Sequence, residues 1–278
     1  MTQTRIPSRI FPRAATEAKT AKRSVSTPQT EHPAYKLAFQ DMEFLLSEEL
    51  RPVRFQLELL KPELLLDEAR IGSMLVFYGS ARIPEPGVKS TNLNPAVAAS
   101  LEAKSHYYLE ARKLAALASA TPVDQDGLRH FVVCSGGGPS IMEAANRGAA
   151  DVGAESVGLN IVLPHEQAPN RYVTPGLSFQ FHYFALRKMH FLLRARAVAV
   201  FPGGFGTFDE TFELLTLIQT GKIKPMPVLM FGRKFWERVV NFDALAAEGV
   251  ISANDIALIN FVESAEEAWS VVQDFYAM

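Results

Sequence analysis

Nine consecutive residues, Pro202-Gly203-Gly204-Phe205-Gly206-Thr207-Phe208-Asp209-Glu210, bring three glycines, a hydroxyl and two carboxylates together. Three glycines permit a sharp turn and leave backbone N–H groups uncovered by side chains. The apolar run 197–201 before them reads as a buried parallel strand. Phe212, Leu214, Leu215 and Ile218 after them fall on one helical face. The segment is therefore a strand–loop–helix junction, where loop N–H groups and the positive end of a helix dipole converge on an anion, most often a phosphate. Thr207 adds a hydroxyl at the turn. Asp209 and Glu210 place carboxylates in the first helical turn, where acidic residues also serve simply to complement the dipole. Position alone does not separate those two roles.

A second loop strengthens the anion reading. The short apolar run 131–134 leads into Ser135-Gly136-Gly137-Gly138, and Pro139 follows at a position suited to the first turn of a helix. Two glycine loops at strand-to-helix junctions predict one site at the carboxyl edge of a sheet, where open α/β sheets bind their ligands. Neither loop spells the six-residue dinucleotide fingerprint or the phosphate loop ending in Gly-Lys-Ser/Thr, so a mononucleotide fits better than NAD or ATP.

The elements that must hold these loops are legible as an alternation. Strands are expected at 74–78, 131–134, 156–162, 197–201, 228–231 and 256–262. Helices are expected at 95–120, 139–152, 183–194, 208–219, 234–248 and 265–276. Short β-rich runs alternating with amphipathic helices imply an α/β fold with parallel pairing through right-handed crossovers. Residues 83–94, rich in proline and polar side chains, read as a loop placed to lie over the site. The chain is expected to divide into a disordered basic tail (1–30), a helical extension (31–70) and a nucleotide-binding domain (71–278). The tail carries Arg5, Arg9, Arg13, Lys19, Lys22 and Arg23 against Glu17 alone. It shares the composition of a mitochondrial targeting segment but shows no clear amphipathic face. In the extension, Leu37, Phe44, Leu45, Leu57, Leu60 and Leu64 follow helical spacing. Pro52 and Pro62 are expected to break it into two or three helices.

Composition narrows the function. With 278 residues and 48% hydrophobic content, the chain can bury a sizeable core. A net charge of −2 argues against a general nucleic-acid surface. No apolar run approaches the roughly 20 residues that span a bilayer, so no membrane partner is expected. The single cysteine, Cys134, cannot form an internal disulfide, reads as a buried core thiol and suits a reducing cytoplasm. Six scattered histidines show no paired metal-ligand spacing, so no metal site is expected. Free histidine titrates near neutrality, but His182 and His190 each read as a partly buried histidine in an aromatic segment rather than an acid/base group. No cofactor is implied. Lys188 in particular lacks the context of a Schiff-base lysine.

The motif Pro202-Gly203-Gly204-x-Gly206-Thr207-x-x-Glu210, with the upstream Gly136-Gly137-Gly138 loop and the pair Arg187-Lys188, resembles the Lonely Guy family of nucleoside 5'-monophosphate phosphoribohydrolases. That family is often labelled lysine-decarboxylase-like. The resemblance runs from about Met74 to the C-terminus. It implies a Rossmann-like, doubly wound parallel sheet with helices on both faces, here preceded by the helical extension. Gly79-Ser80, closing the first strand, sit where the family opens its sheet. The implied activity is hydrolysis of the N-glycosidic bond of a nucleoside 5'-monophosphate to free base and ribose 5-phosphate. Such cleavage builds oxocarbenium-like positive charge on the ribose, which a nearby carboxylate can stabilise while orienting or deprotonating water. The resemblance puts that carboxylate at Glu210 and the catalytic arginine at Arg187. Substrate contacts then fall to Gly79, Ser80, Gly136, Gly137, Gly138, Lys188, Gly203, Gly204, Gly206 and Thr207. It also implies a homodimer or a multiple of dimers.

One departure bears on substrate. Relatives tied to cytokinin activation often carry His-Glu before the Arg-Lys pair, whereas this chain has Ala185-Leu186. AMP therefore stands beside a cytokinin riboside monophosphate as an expected substrate. A rival reading is a non-catalytic nucleotide sensor that keeps both phosphate loops, and retention of Arg187 and Glu210 together argues against it.

Overall fold

The computed structural model describes residues 11–22, 25–89, 94–164 and 168–278. Arg5, Arg9 and Arg23 of the basic tail lie outside the described residues. The chain divides into two compact units, Met1–Leu57 and Glu58–Met278.

The first unit comprises α1 (Ala14–Ala21), α2 (Pro28–Glu31), α3 (Met42–Leu46) and the beginning of α4 (Arg51–Glu68), with 3-10 turns at Pro33–Tyr35, Ala38–Gln40 and Glu48–Leu50. The helix α1 occupies part of the segment expected to be disordered. Local capping shapes this unit. The Thr27 hydroxyl accepts from the Thr30 N–H, and the Asp41 carboxylate accepts from the N–H groups of Glu43 and Phe44. Among its described residues only Ala18 is buried, while Tyr35, Phe39, Met42, Phe44 and Leu46 are exposed.

The second unit is a seven-stranded, all-parallel sheet. Its strands are β1 (Met74–Tyr78), β2 (Val132–Ser135), β3 (Val157–Ile161), β4 (Ser178–Phe181), β5 (Ala195–Val200), β6 (Val228–Phe231) and β7 (Ile259–Val262), in the spatial order β4-β3-β2-β1-β5-β6-β7. The order grows outward from β1 in one direction through β4, then restarts beside β1 with β5. The switch point thus falls between β1 and β5. Helices α5 (Pro95–Glu102), α6 (His106–Ser119), α7 (Ile141–Asp151), α8 (Phe184–Leu193), α9 (Phe205–Gln219), α10 (Arg233–Val239), α11 (Phe242–Ala247), α12 (Ala253–Ile256) and α13 (Ala265–Tyr276) complete it.

Strand alternation sends β1 side chains into two cores. Leu75 and Phe77 pack with Leu114, Ala115, Ala145, Ala268 and Val272 from α6, α7 and α13. Met74, Val76 and Tyr78 pack on the other face with Leu66, Phe191, Leu214, Trp236 and Phe242 from α4, α8, α9, α10 and α11. The fold is a Rossmann-like α/β sheet covered on both faces.

Several boundaries differ from the sequence pattern. Strand β4 lies in a stretch where no strand was expected; it is an edge strand with alternating burial, which gives only a four-residue signal. The expected helix 95–120 is broken between Glu102 and His106. The helix expected at 234–248 is broken at Val240 and Asn241, where the Asn241 side chain caps α11 through the Ala244 N–H. The strand expected from 256 begins at Ile259, because Ser252 and Asp255 form a capping box that starts α12.

Pro62 lies inside α4 without ending it. Proline at this position removes the N–H that would bond the Glu58 carbonyl. The buried His190 Nε2 takes that place, donating to the Glu58 carbonyl at 3.1 Å. Burial holds the His190 pKa below its ordinary value, which suits a neutral, structural imidazole.

The helices that carry the sheet edge approach closely. A Cβ on Gly148 of α7 would lie 2.0 Å from the Arg112 carbonyl oxygen and 2.8 Å from the Ala115 Cβ of α6. Alanine normally favours a helix over glycine by about 1 kcal/mol. Here the backbone collision wins, and Gly148→Ala is expected to lower unfolding free energy by about 2 kcal/mol net. Urea titration checks this; a stabilised variant would show that the helices separate freely.

Candidate functional site

Three loops leave the carboxyl ends of neighbouring strands β2, β1 and β5 and are bonded to one another. The Ser80 N–H donates to the Pro202 carbonyl at 3.1 Å, and the Ser80 carbonyl accepts from the Ile141 N–H at 3.4 Å. A Cβ on Gly79 would lie 2.6 Å from the Ile141 side chain, so glycine lets the β1 end meet the start of α7. Thus Gly79, Ser80, the Gly136–Gly138 loop and the Gly203–Gly206 segment share one edge at the switch point.

Both helices that start here lack side-chain caps. Gly204 precedes α9 and Ser140 precedes α7, and neither side provides a capping bond. Side-chain caps are also missing at α1, α6, α8 and α10, whereas α3, α5, α11, α12 and α13 are each capped by a side-chain oxygen. Uncapped first-turn N–H groups with the helix dipole behind them favour an anion. The helix α9 begins at Phe205, so Gly206 and Thr207 belong to its first turn rather than to the loop before it. Thr207 is buried, and a Cβ on Gly203 would lie 2.1 Å from its Oγ1. Gly204 and Gly206 instead face open space. Phe205 between them is 96% exposed, a bulky ring standing free on the rim.

Arg187 and Glu210 meet beside these loops. Arg187 projects from α8, and its Nη1 donates to Glu210 Oε1 at 3.1 Å, with both side chains largely buried. Two further contacts fix the guanidinium. Its Nε donates to the Leu159 carbonyl at 2.7 Å, and its Cζ stands 4.9 Å from the Phe191 ring centroid. A Cβ on Gly136 would lie 2.5 Å from its Nη2. Gly136 is therefore where the loop must come close to the arginine. Burial raises the Glu210 pKa to about 7 despite the neighbouring Arg187 cation, which pulls it down. Burial also pushes the Tyr78 hydroxyl and the Cys134 thiol up, leaving both neutral near pH 7.

Lys188 takes a different direction from Arg187. Its Nζ pairs with Asp209 and Glu213 of α9, each at 3.1 Å. Its pKa is raised: burial opposes the charge, and the bonds to Glu213 and Asp209 outweigh it. His182 is exposed. Its backbone N–H and that of Tyr183 donate to the Glu58 carboxylate, which holds the two residues that lead into α8. Glu58 carried no signal in the sequence, because its partner lies more than a hundred residues away. Among the described residues no group of three or more histidine, cysteine, aspartate or glutamate side chains is arranged to hold a metal ion. Nor is any helix among them long and apolar enough to cross a membrane.

Residues 142–272 match the sequence profile of the family described as "possible lysine decarboxylase". The lysine-decarboxylase-like resemblance is thereby shown for that segment. None of the curated proteins matches the chain in sequence. Solved structures of similar fold include a molybdenum cofactor binding protein from the phototrophic bacterium Rippkaea orientalis, at 16% identity and TM-score 0.45, covering 73% of this chain and 98% of that one. They also include the Moco carrier protein from Chlamydomonas reinhardtii, at 15% identity and TM-score 0.43, covering 74% of this chain and 98% of that one.

The raised Glu210 pKa has a consequence for stability. The folded state holds this proton more tightly than the unfolded chain, whose carboxyl titrates near 4.5. The resulting stabilisation is complete below about pH 4.5 and is lost as pH rises through about 7. Glu210→Gln removes that titration. The melting temperature of the variant relative to the unsubstituted protein is therefore expected to rise between pH 5 and pH 8. A difference that stays flat across this range would place the Glu210 pKa near its ordinary value.

Proposed function

We propose that this chain hydrolyses the N-glycosidic bond of a nucleoside 5'-monophosphate, AMP or a cytokinin riboside monophosphate, releasing the free base and ribose 5-phosphate. The observation that carries this reading is the buried Arg187–Glu210 pair set beside two uncapped helix starts. In this reading the 5'-phosphate docks on the first-turn N–H groups of α9 and α7, with Gly79, Ser80, Gly136, Gly137, Gly138, Gly203, Gly204, Gly206 and Thr207 shaping its seat. The ribose then stands over Glu210. As the bond to the base lengthens, the Glu210 carboxylate faces the growing positive charge and orients the attacking water. Arg187 holds the carboxylate in place and keeps a fraction ionised near neutrality. Lys188 contributes from behind, steadying Asp209 and Glu213 and adding positive potential at the edge.

Incubation with AMP, GMP, CMP and isopentenyladenosine monophosphate, with chromatographic detection of base, tests the reaction and ranks substrates. Glu210→Gln is expected to reduce kcat about a hundredfold or more with little change in KM, because its role lies in the transition state. Retained AMP binding with no base release from the unsubstituted protein would instead identify a nucleotide-binding protein without turnover. Adenosine cleaved as fast as AMP would remove the phosphate seat.

The pH profile follows from the same group. Activity requires the ionised carboxylate, so kcat/KM is expected to rise with pH up to about 7 and then level. Arg187→Ala removes the cation that holds this pKa down, so the acidic limb should move to higher pH as the rate falls. A limb that stays in place would assign it to another group. The same reading takes the protein as cytoplasmic and its α/β unit as paired in a homodimer or multiple of dimers. Exposure of Phe184, Met189 and Leu193 along α8 supports the pairing.

A further inference from the structure

The Gly136–Gly138 loop is held by a chain of side-chain amides, Asn146 buried and Asn170 half-buried. Asn170, in the segment between β3 and β4, donates from its backbone N–H to the Gly137 carbonyl at 2.7 Å. Its side-chain Nδ2 reaches the Gly137 carbonyl at 3.1 Å, the Gly138 carbonyl at 3.0 Å and Asn146 Oδ1 at 2.9 Å. Asn146, fully buried in α7, also accepts from the Ser135 hydroxyl at 2.7 Å and donates to the Ser156 hydroxyl at 3.0 Å. The Ser135 hydroxyl in turn accepts from the Gly137 N–H at 3.1 Å. Gly137 sits at φ +74°, and a Cβ there would lie 2.1 Å from Asn160 Oδ1, so only glycine takes this position.

These bonds dictate which way the peptides face. In a trans peptide the carbonyl and the N–H point in opposite directions. With the Gly137 carbonyl drawn to Asn170, the Gly138 N–H is turned away from it. The Gly138 carbonyl is drawn the same way, and its peptide ends at Pro139, which has no N–H. Gly137 and Gly138 are both buried, so their carbonyls have no water to replace Asn170. Removing the Asn170 side chain leaves its backbone N–H on the Gly137 carbonyl but strips the Gly138 carbonyl of its donor, so the Gly138–Pro139 peptide can rotate, and the turn into α7 goes with it.

We infer that Asn170 is a positioning residue for the anion site: its side-chain amide holds the Gly138 carbonyl inward, beside its own backbone N–H on the Gly137 carbonyl, so that the Gly138 N–H and the start of α7 face the phosphate of a nucleoside monophosphate. This inference rests on the phosphate seat proposed above. Because a bound phosphate is gripped equally in the ground and transition states, the loss falls on binding rather than on the chemical step.

The test uses the full chain carrying Asn170→Ala or Asn170→Ser, both of which lack the amide donor, beside Gly148→Ala as a control that weakens α7 packing without touching the loop. Titration calorimetry with ribose 5-phosphate and steady-state kinetics with AMP are the readouts. Each Asn170 variant that folds is expected to raise the ribose 5-phosphate Kd and the AMP KM about tenfold or more, with kcat within threefold. Gly148→Ala should keep both constants within twofold at a lowered melting temperature. Unsubstituted protein that binds ribose 5-phosphate, with folded Asn170 variants that bind it equally well, overturns the positioning role alone. An equal loss in Gly148→Ala also overturns it, since general loosening would then explain the effect. Unsubstituted protein that binds neither ribose 5-phosphate nor AMP brings down the phosphate seat and this inference with it.

Discussion

Removing a guanidinium and a carboxylate from water together sets the terms for the rest of the sheet edge. Each ion loses several kcal/mol of hydration on burial, and only close mutual contact with additional hydrogen bonds offsets that loss. Arg187 meets the requirement through Glu210, the Leu159 carbonyl and the face of Phe191, so α8, α9, β3 and the loop after β2 must all arrive at one point. A pair of this kind adds little to stability compared with well-packed apolar side chains. Its effect is chemical. Even with the cation at 3.1 Å, burial leaves the carboxyl poised near neutrality.

That convergence depends on how closely backbones can approach at the switch point. The glycines there fall into two groups. Gly79, Gly136, Gly137 and Gly203 are packed against Ile141, Arg187, Asn160 and Thr207, where a Cβ would collide. Gly204 and Gly206 face open space at the first turn of α9. The packed glycines bring the loops together, and the open ones leave backbone uncovered at the start of α9. One residue type thus serves tight packing on one side of the edge and open backbone on the other.

Much of this was legible from local pattern. Apolar runs located β1, β2, β3, β5 and β6 because a buried parallel strand must be apolar on both faces. The alternation with amphipathic helices gave the fold class. Edge strand β4 gives no clear sequence signal, because Ser178 and Gln180 interrupt its apolar residues and its length is four. Pro62 suggested a helix break, and the break was avoided by a histidine from another helix that no local rule could connect to it. Asn170 and Glu58 carry no local signal for the same reason. Each acts on a backbone segment far along the chain, through side-chain amide or carboxylate bonds that leave no periodic trace.

The sequence by itself determined the α/β alternation, the two glycine loops and the residue types able to hold an anion and meet a cation, because these follow from hydrophobic period, backbone freedom and formal charge. Only the tertiary structure decided that Arg187 faces Glu210 while Lys188, one residue later, turns to Asp209 and Glu213. A helix step of about 100° sends neighbouring side chains to different faces, and which face is buried depends on what packs against it. The Glu210 pKa was decided in the same way. A carboxylate's charge is written in the sequence, but the desolvation that lifts it to about 7 comes from the strands and helices folded around it.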